Sequence, residues 1–168
     1  MVSLVIRLMG KSFSNFKQLE QYIMEQVNSS LKQEMAEMTK GKISEHVKSD
    51  VYNAYPNPTR YKRRGFIEGS LGLGDVTRMD SKLIQDGVLE VVDNADFNHP
   101  FAYTHEGDGD INTSKSLAFN IEYGYSDRSE PWNEPRPFIE KTKEEIQSKG
   151  LHTQIMKSAL KARGIDVV

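Results

Sequence analysis

Tyr52, Tyr55 and Tyr61 stand among Arg60, Lys62, Arg63 and Arg64, so rings and cations interleave over one short segment. That combination binds nucleic acid when the rings stack on bases and the guanidinium groups hold phosphates. The same side chains anchor protein interfaces, or the tyrosines close a core and leave the cations in water. A second cluster is His99, His105, Glu106 and Asp108, the residue types a metal-dependent hydrolase would use and also those of an ordinary polar loop. Asp108, Asp110 and Asn112 start like a calcium loop, but the sixth position is Thr113 instead of glycine and the twelfth is Phe119 instead of glutamate. Gly69, Gly72 and Gly74 lack the Gly-Lys-Ser/Thr ending of a phosphate loop. No His-Glu-x-x-His pair and no Gly-x-Ser-x-Gly elbow occurs. No catalytic, cofactor or metal site is therefore expected.

Composition narrows the classes further. The chain has 168 residues with 22 Lys and Arg against 24 Asp and Glu, a net charge of −2, and no cysteine. Disulfide scaffolds, thiolate zinc sites and cysteine nucleophiles are excluded together. Near-neutral charge favours a protein interface over general nucleic-acid binding for the Tyr/Arg segment. The longest apolar run, Val2 to Met9, is interrupted by Ser3 and Arg7 and falls short of the roughly 20 residues that span a bilayer. Gly10 and Lys11 follow where a signal peptide would carry small residues for cleavage, so no leader is expected. Charge is segregated: from Asp86 to Asn112 there is no Lys or Arg, but there are Asp86, Glu90, Asp93, Asp96, Glu106, Asp108 and Asp110. Opposed acidic and basic stretches on one chain suit self-association or a charged partner.

The elements that must position these residues follow from periodicity. Val2, Leu4, Ile6 and Leu8 alternate and predict a short strand. Asn15 with Gln18 three residues on reads as a capping box, after which Leu19, Ile23, Val27, Leu31 and Met35 recur every four residues. Ile43, Val47 and Val51 extend the spacing past Gly41, predicting one long helix with a weak point or two helices joined there. Unbroken to Tyr55, such a helix would be on the order of 60 Å long and would need a partner to cover its stripe. Pro56 and Pro58 end it. A turn-rich segment, Arg60 to Asp75, follows with Phe66, Ile67 and Leu71 as core anchors. Lys82–Gln85 and Val88–Asp93 flank Asp86-Gly87 as a hairpin. Asn94 to Gly109 is irregular, and Leu117, Phe119, Ile121 and Tyr123 alternate as a further strand, Leu117 to Tyr125. Pro131, Pro135 and Pro137 stiffen the approach to a helix carrying Phe138, Thr142 and Ile146, which stops at Gly150. Leu151 to Arg163 is a last short helix or tail. The expected class is α+β: one domain, 1–168, with a small antiparallel sheet packed with a long N-terminal helix and a C-terminal helix. A flexible, basic, glycine-rich loop is expected at about 56–80 and a tail at 151–168.

Three stretches together resemble a known family. They are Val51-Tyr52-Asn53-Ala54-Tyr55-Pro56-Asn57-Pro58-Thr59-Arg60-Tyr61-Lys62-Arg63-Arg64, closing the long helix; Ile121-Glu122-Tyr123-Gly124; and Pro135-Arg136-Pro137-Phe138-Ile139, opening a later one. The chain is similar, from about Phe16 to Gly150, to the tail-completion proteins of long-tailed double-stranded DNA bacteriophages, also described as minor tail, neck or head-tail joining proteins. In that family a "(V/I)E(Y/F)G" strand precedes an "RPF" helix start, and Glu122–Gly124 and Arg136–Phe138 match in order. The family commonly has a Pro-x-x-Thr-Gly-x-Leu segment after the first helix, whereas Tyr55 to Ser70 is longer and more basic. The resemblance implies a non-enzymatic structural protein of the virion, in the tail or neck, made in the host cytoplasm and acting as a homo-oligomeric ring. Its implied partners are head-tail connector, tail terminator or tail tube proteins and DNA in the channel, with no membrane. The implied interface or channel residues are Tyr55, Arg60, Tyr61, Lys62, Arg63, Arg64, Glu122, Gly124, Arg136, Pro137 and Phe138. Arg60, Arg63 and Arg64 would face a neighbour's acidic block or DNA, while Tyr55, Tyr61 and Phe138 anchor packing. The alternative is a small nucleic-acid-binding module centred on residues 52–64.

Overall fold

An apolar residue at every fourth position overruns the 3.6-residue turn of an α-helix by about 40° per step, so a strict four-residue stripe drifts off a flat contact face. The computed structural model, which describes residues 6–8, 11–54, 68–70, 72–95, 117–124 and 134–167, shows how this chain corrects the drift. Helix α1, Phe16–Ser30, passes into a π-helical turn at Leu31–Met35; helix α2, Ala36–His46, passes into a second π segment at Val47–Asn53. Hydrogen bonds reaching five residues on make π turns wider than α turns, which winds the stripe back. The buried pair across the first π turn is accordingly five residues apart, Leu31 and Ala36, while Ile43, Val47 and Val51 stay buried together at a spacing of four. Helical turns pass through Gly41 without a break, as one long helix requires.

The chain folds as two compact units: Met1–Met38 with Ser81–Glu90 and Ile146–Val168, and Thr39–Asp80 with Val91–Glu145. The first opens with strands β1, Ile6–Leu8, and β2, Lys11–Phe13, paired antiparallel with Ile6 opposite Phe13. Only the end of the expected N-terminal strand lies among the described residues, and β2 was too short to leave a pattern of its own. Asn15 caps α1 through its Oδ1, which accepts from Gln18 N–H at 3.0 Å. The reciprocal bond differs from a standard capping box: Gln18 Oε1 accepts from Ser14, from N–H at 3.0 Å and from the hydroxyl at 2.8 Å. Phe13 is buried against Tyr22, with ring centroids 5.3 Å apart, and Lys11 Nζ lies 4.3 Å from the Tyr22 centroid.

The second unit holds the cluster Ile43, Val47, Val51, Leu73, Met79, Ala95, Ile121 and Phe138, with Tyr52, Val91 and Ala118 packed on it. Strands β3, Met79–Gln85, and β4, Val88–Asp93, form the expected hairpin with Asp86 and Gly87 as its turn. Its open end belongs to this unit and its tip, Ser81–Glu90, to the first. Of the loop expected at 56–80, residues 56–67 and 71 lie outside the described residues, as do the expected anchors Phe66, Ile67 and Leu71. The described part is packed: Leu73 and Asp75 are buried, Val76–Arg78 forms a 3-10 turn, and Asp75 caps it by accepting from Thr77 N–H at 3.0 Å.

Leu117–Tyr123 is helix α3, which corrects the strand expected there. Alternation misled because a period of two contains a period of four: Phe119 and Tyr123 meet as an i,i+4 pair with centroids 4.7 Å apart. Ala118 and Ile121 turn inward to the core, three residues apart. Helix α4, Phe138–Ser148, follows.

Leu151–Ala162 is a helix, α5, not a tail, and it packs in the first unit along α1 and the first π turn. It ends in a Schellman cap: Ile165 N–H bonds Leu160 O at 2.8 Å and Gly164 N–H bonds Lys161 O at 2.9 Å, with Gly164 at φ 79°. Leu160 and Ile165 are both buried beneath that cap. Among the described residues no helix is long and apolar enough to cross a membrane. The expected α+β class is what the chain adopts: small antiparallel strand pairs, a long N-terminal helix and C-terminal helices.

Candidate functional site

The residues singled out around Glu122 and Arg136 meet at one joint in the second unit. Lys141 N–H donates to Pro137 O at 3.0 Å, so Pro137 sits at the cap of α4, where it has no side-chain oxygen to offer the free N–H groups of the first turn. Glu122 supplies them from α3. Its Oε2 accepts from Ile139 N–H at 2.8 Å and its Oε1 from Glu140 N–H at 2.9 Å, a bidentate carboxylate cap at the positive end of a helix. Arg136 N–H donates to Ile121 O at 2.8 Å, holding the approach to α4 against α3. Phe138 is then fully enclosed at 0% exposure, and Thr142, also buried, donates its hydroxyl to Phe138 O at 2.7 Å. Gly124 adopts φ 75° just after α3, so its positive φ ends a helix and not a strand.

Beside this joint, α4 is strapped to the long helix by alternating charges. Lys42, His46 and Asp50 recur at four-residue spacing on one helix, and Lys141 and Glu145 do so on the other. Glu145 bridges Lys42 at 3.1 Å and His46 Nε2 at 2.9 Å; Asp50 takes His46 Nδ1 at 2.7 Å and Lys141 Nζ at 2.7 Å. Burial pushes the Asp50 carboxyl up, but hydrogen bonds from Lys141, His46 and Ser49 outweigh it and hold the group below the ordinary aspartate range. Hydrogen bonds to Glu45 and Glu145 hold the Lys42 ammonium above its ordinary value.

A second acidic place lies at the open end of the hairpin. Asp93 Oδ1 accepts from Ala95 N–H at 2.8 Å and Oδ2 from Gly74 N–H at 3.4 Å. Burial raises the Asp93 carboxyl, and the nearby Asp75 charge adds to it, against the lowering effect of those two N–H groups and Arg78. Among the described residues no group of three or more His, Asp or Glu side chains is arranged to hold a metal.

Of the residues named from sequence, Glu122, Arg136 and Phe138 are therefore brought together and buried, with Gly124 and Pro137 half-buried beside them. They work from inside the unit, holding the start of α4 against α3. Tyr55, Arg60, Tyr61, Lys62, Arg63 and Arg64 lie outside the described residues, as do His99, His105, Glu106 and Asp108; Tyr52 is half-buried against the core. Sequence reasoning missed the charged strap. Its local halves were visible as i,i+4 pairs, but the pairing of residue 46 with residue 145 has no local signature.

What the fold and this joint define is an α+β chain in which Glu122 caps one helix from another and the Lys42, His46, Asp50, Lys141 and Glu145 side chains fasten two helices together. The chain belongs to the YomN family, whose model matches residues 15–162, from the cap of α1 to the last residue of α5. No curated protein and no solved structure matches it.

Proposed function

We propose that this chain is a structural, non-enzymatic virion protein of a long-tailed bacteriophage, completing or joining the tail at the head-tail interface as a ring of identical subunits. The observation that carries the reading is the joint itself. The two short stretches that resemble tail-completion proteins, Ile121–Gly124 and Arg136–Phe138, are distant enough in sequence to be unrelated, yet Glu122 caps the helix that Phe138 opens. A resemblance carried by residues that cooperate in one joint is stronger support than two isolated matches. Ring formation is supported by charge segregation, because rings use heterologous contacts in which one surface meets a different surface of the next subunit. The partners proposed with it are connector, terminator or tube proteins of the same particle, with Arg60, Arg63 and Arg64 facing either a neighbouring acidic surface or the DNA.

Quantitative mass spectrometry of purified particles tests this by counting copies of the chain relative to the portal protein. A low, fixed copy number equal to one ring is expected. Absence from particles would overturn the reading.

A further inference from the structure

Each unit exposes an apolar feature that its own core does not use, and the units that carry them are opposite in net charge. In the first unit, Phe16, Leu19, Ile23 and Met24 line a shallow groove along α1 together with Glu20, and Phe16 is 68% and Met24 38% exposed. In the second, Phe119 and Tyr123 project from α3 as a touching pair, 62% and 64% exposed. Single exposed apolar side chains are ordinary on a protein surface, whereas paired aromatics and a methionine-lined groove are the residue types that anchor interfaces. Among the described residues the first unit carries nine Lys and Arg against seven Asp and Glu, +2, and the second carries seven against eleven, −4.

We propose that the Phe119/Tyr123 pair of one copy docks into the α1 groove of a second copy, making the heterologous contact of the assembly. This rests on the ring reading above. The aromatic rings meet the Met24 thioether and the Phe16 ring across a dry centre, and the opposite net charges of the two units orient the copies head to tail as they approach. Like surfaces, groove on groove, would instead set Glu20 of one copy near Glu20 of the other, which disfavours a two-fold pairing through α1.

The test uses the full chain in sedimentation velocity and native mass spectrometry. One variant removes the knob, Phe119→Ser with Tyr123→Ser, and another removes the groove, Phe16→Ser with Met24→Glu. All four positions are exposed, so circular dichroism and melting should match the parent; Met24→Glu alone serves as a milder groove variant. The wild type is expected to self-associate, less so at high salt. Each variant alone should lose about tenfold or more in association. Mixed, the two variants should give a one-to-one heterodimer that grows no further, since each retains the face the other lacks. Wild-type oligomers that both variants still form would overturn the contact while leaving the ring reading intact. Loss in the groove variant but not in the knob variant would overturn it in favour of α1 meeting α1. A wild type that stays monomeric also overturns the contact, and the ring reading then stands or falls on the particle copy number.

Discussion

The second unit closes around large side chains: Phe138 and Val47 are completely enclosed and Leu73 nearly so, all within one cluster. The first buries Phe13, Leu31, Leu160 and Ile165 but fills the rest with Ala36, Ala159 and Ser30. Where its core is thin, polar clasps join segments far apart in sequence. Asn28 holds the hairpin turn, donating to Asp86 at 2.9 Å and accepting from Gly87 N–H at 2.9 Å. Arg163 reaches Glu34 with two nitrogens, at 2.8 and 3.1 Å, and Gln33 at 2.8 Å. The difference teaches where each unit is vulnerable. Loss of apolar volume should damage the second most, while the first, with less large apolar volume enclosed, should yield more readily to loss of individual polar contacts.

The largest break should come from Phe138→Ala. Emptying a fully enclosed aromatic site costs about 3–5 kcal/mol, and most domains have little more than that to lose. Urea denaturation should show the loss, and hydrogen exchange should place it in α3, α4 and the Val47–Asn53 segment. Exchange that rises first in α1 and α5 would contradict the assignment of Phe138 to the second unit's core. Glu122→Ala should cost less, about 1–2 kcal/mol, as for removal of a helix cap. Its exchange signature should be confined to the first turn of α4, at Ile139 and Glu140, with Glu122→Gln intermediate because it retains one acceptor oxygen.

Arg163→Ala probes the other side of the comparison. The Arg163 hydrogen bond holds the Glu34 carboxyl below its ordinary value, overcoming a small opposing effect of burial. Since the folded pKa is depressed, the contribution is present above the ordinary glutamate range and disappears as the pH falls through the folded value. Glu34 is 38% exposed, so solvent screening limits the loss to about 0.5–1 kcal/mol at neutral pH. Melting temperatures of parent and variant should therefore differ at pH 7 and converge as the pH falls below the ordinary glutamate range. A difference that persists undiminished in acid would mean that Arg163 acts through its uncharged acceptors, Gln33 Oε1 at 2.8 Å and Ala159 O at 3.1 Å, and not through Glu34.

What could be read from the residues was whatever is written locally. The Asn15 cap, the apolar stripe beyond it and the Asp86-Gly87 hairpin each declare themselves within a few positions, and each is present. The stripe announced a helix but not its π turns, because the drift of a four-residue repeat can be absorbed by winding, by supercoiling or by a break, and packing decides which. Leu117 to Tyr123 failed for a related reason, its alternation being equally compatible with two geometries. At the candidate site, Phe138 was legible as the start of a helix's apolar face, whereas Glu122 and Arg136 stood out only through a family resemblance; that a glutamate would cap a helix opened by a proline had no sequence sign. The charged strap was half legible, as helical pairs without their partner.

The smallest expected effect has the opposite sign. Gly41 lies inside α2, and a methyl group added there would meet no atom within 4 Å. Glycine in a helix interior is less favourable than alanine by about 0.5–1 kcal/mol, because the unfolded chain it must leave is the more disordered. With no close approach to protect, Gly41→Ala should stabilise the protein by roughly that amount, raising the melting temperature by about 2–4 °C. A destabilised variant would mean that the helix needs glycine's freedom at this point, contrary to its unbroken turns. A stabilised variant that no longer assembles would sharpen the comparison differently: the open space beside Gly41 would then belong to a neighbouring subunit, and the second unit would contribute a helix face as well as its aromatic pair to the proposed assembly.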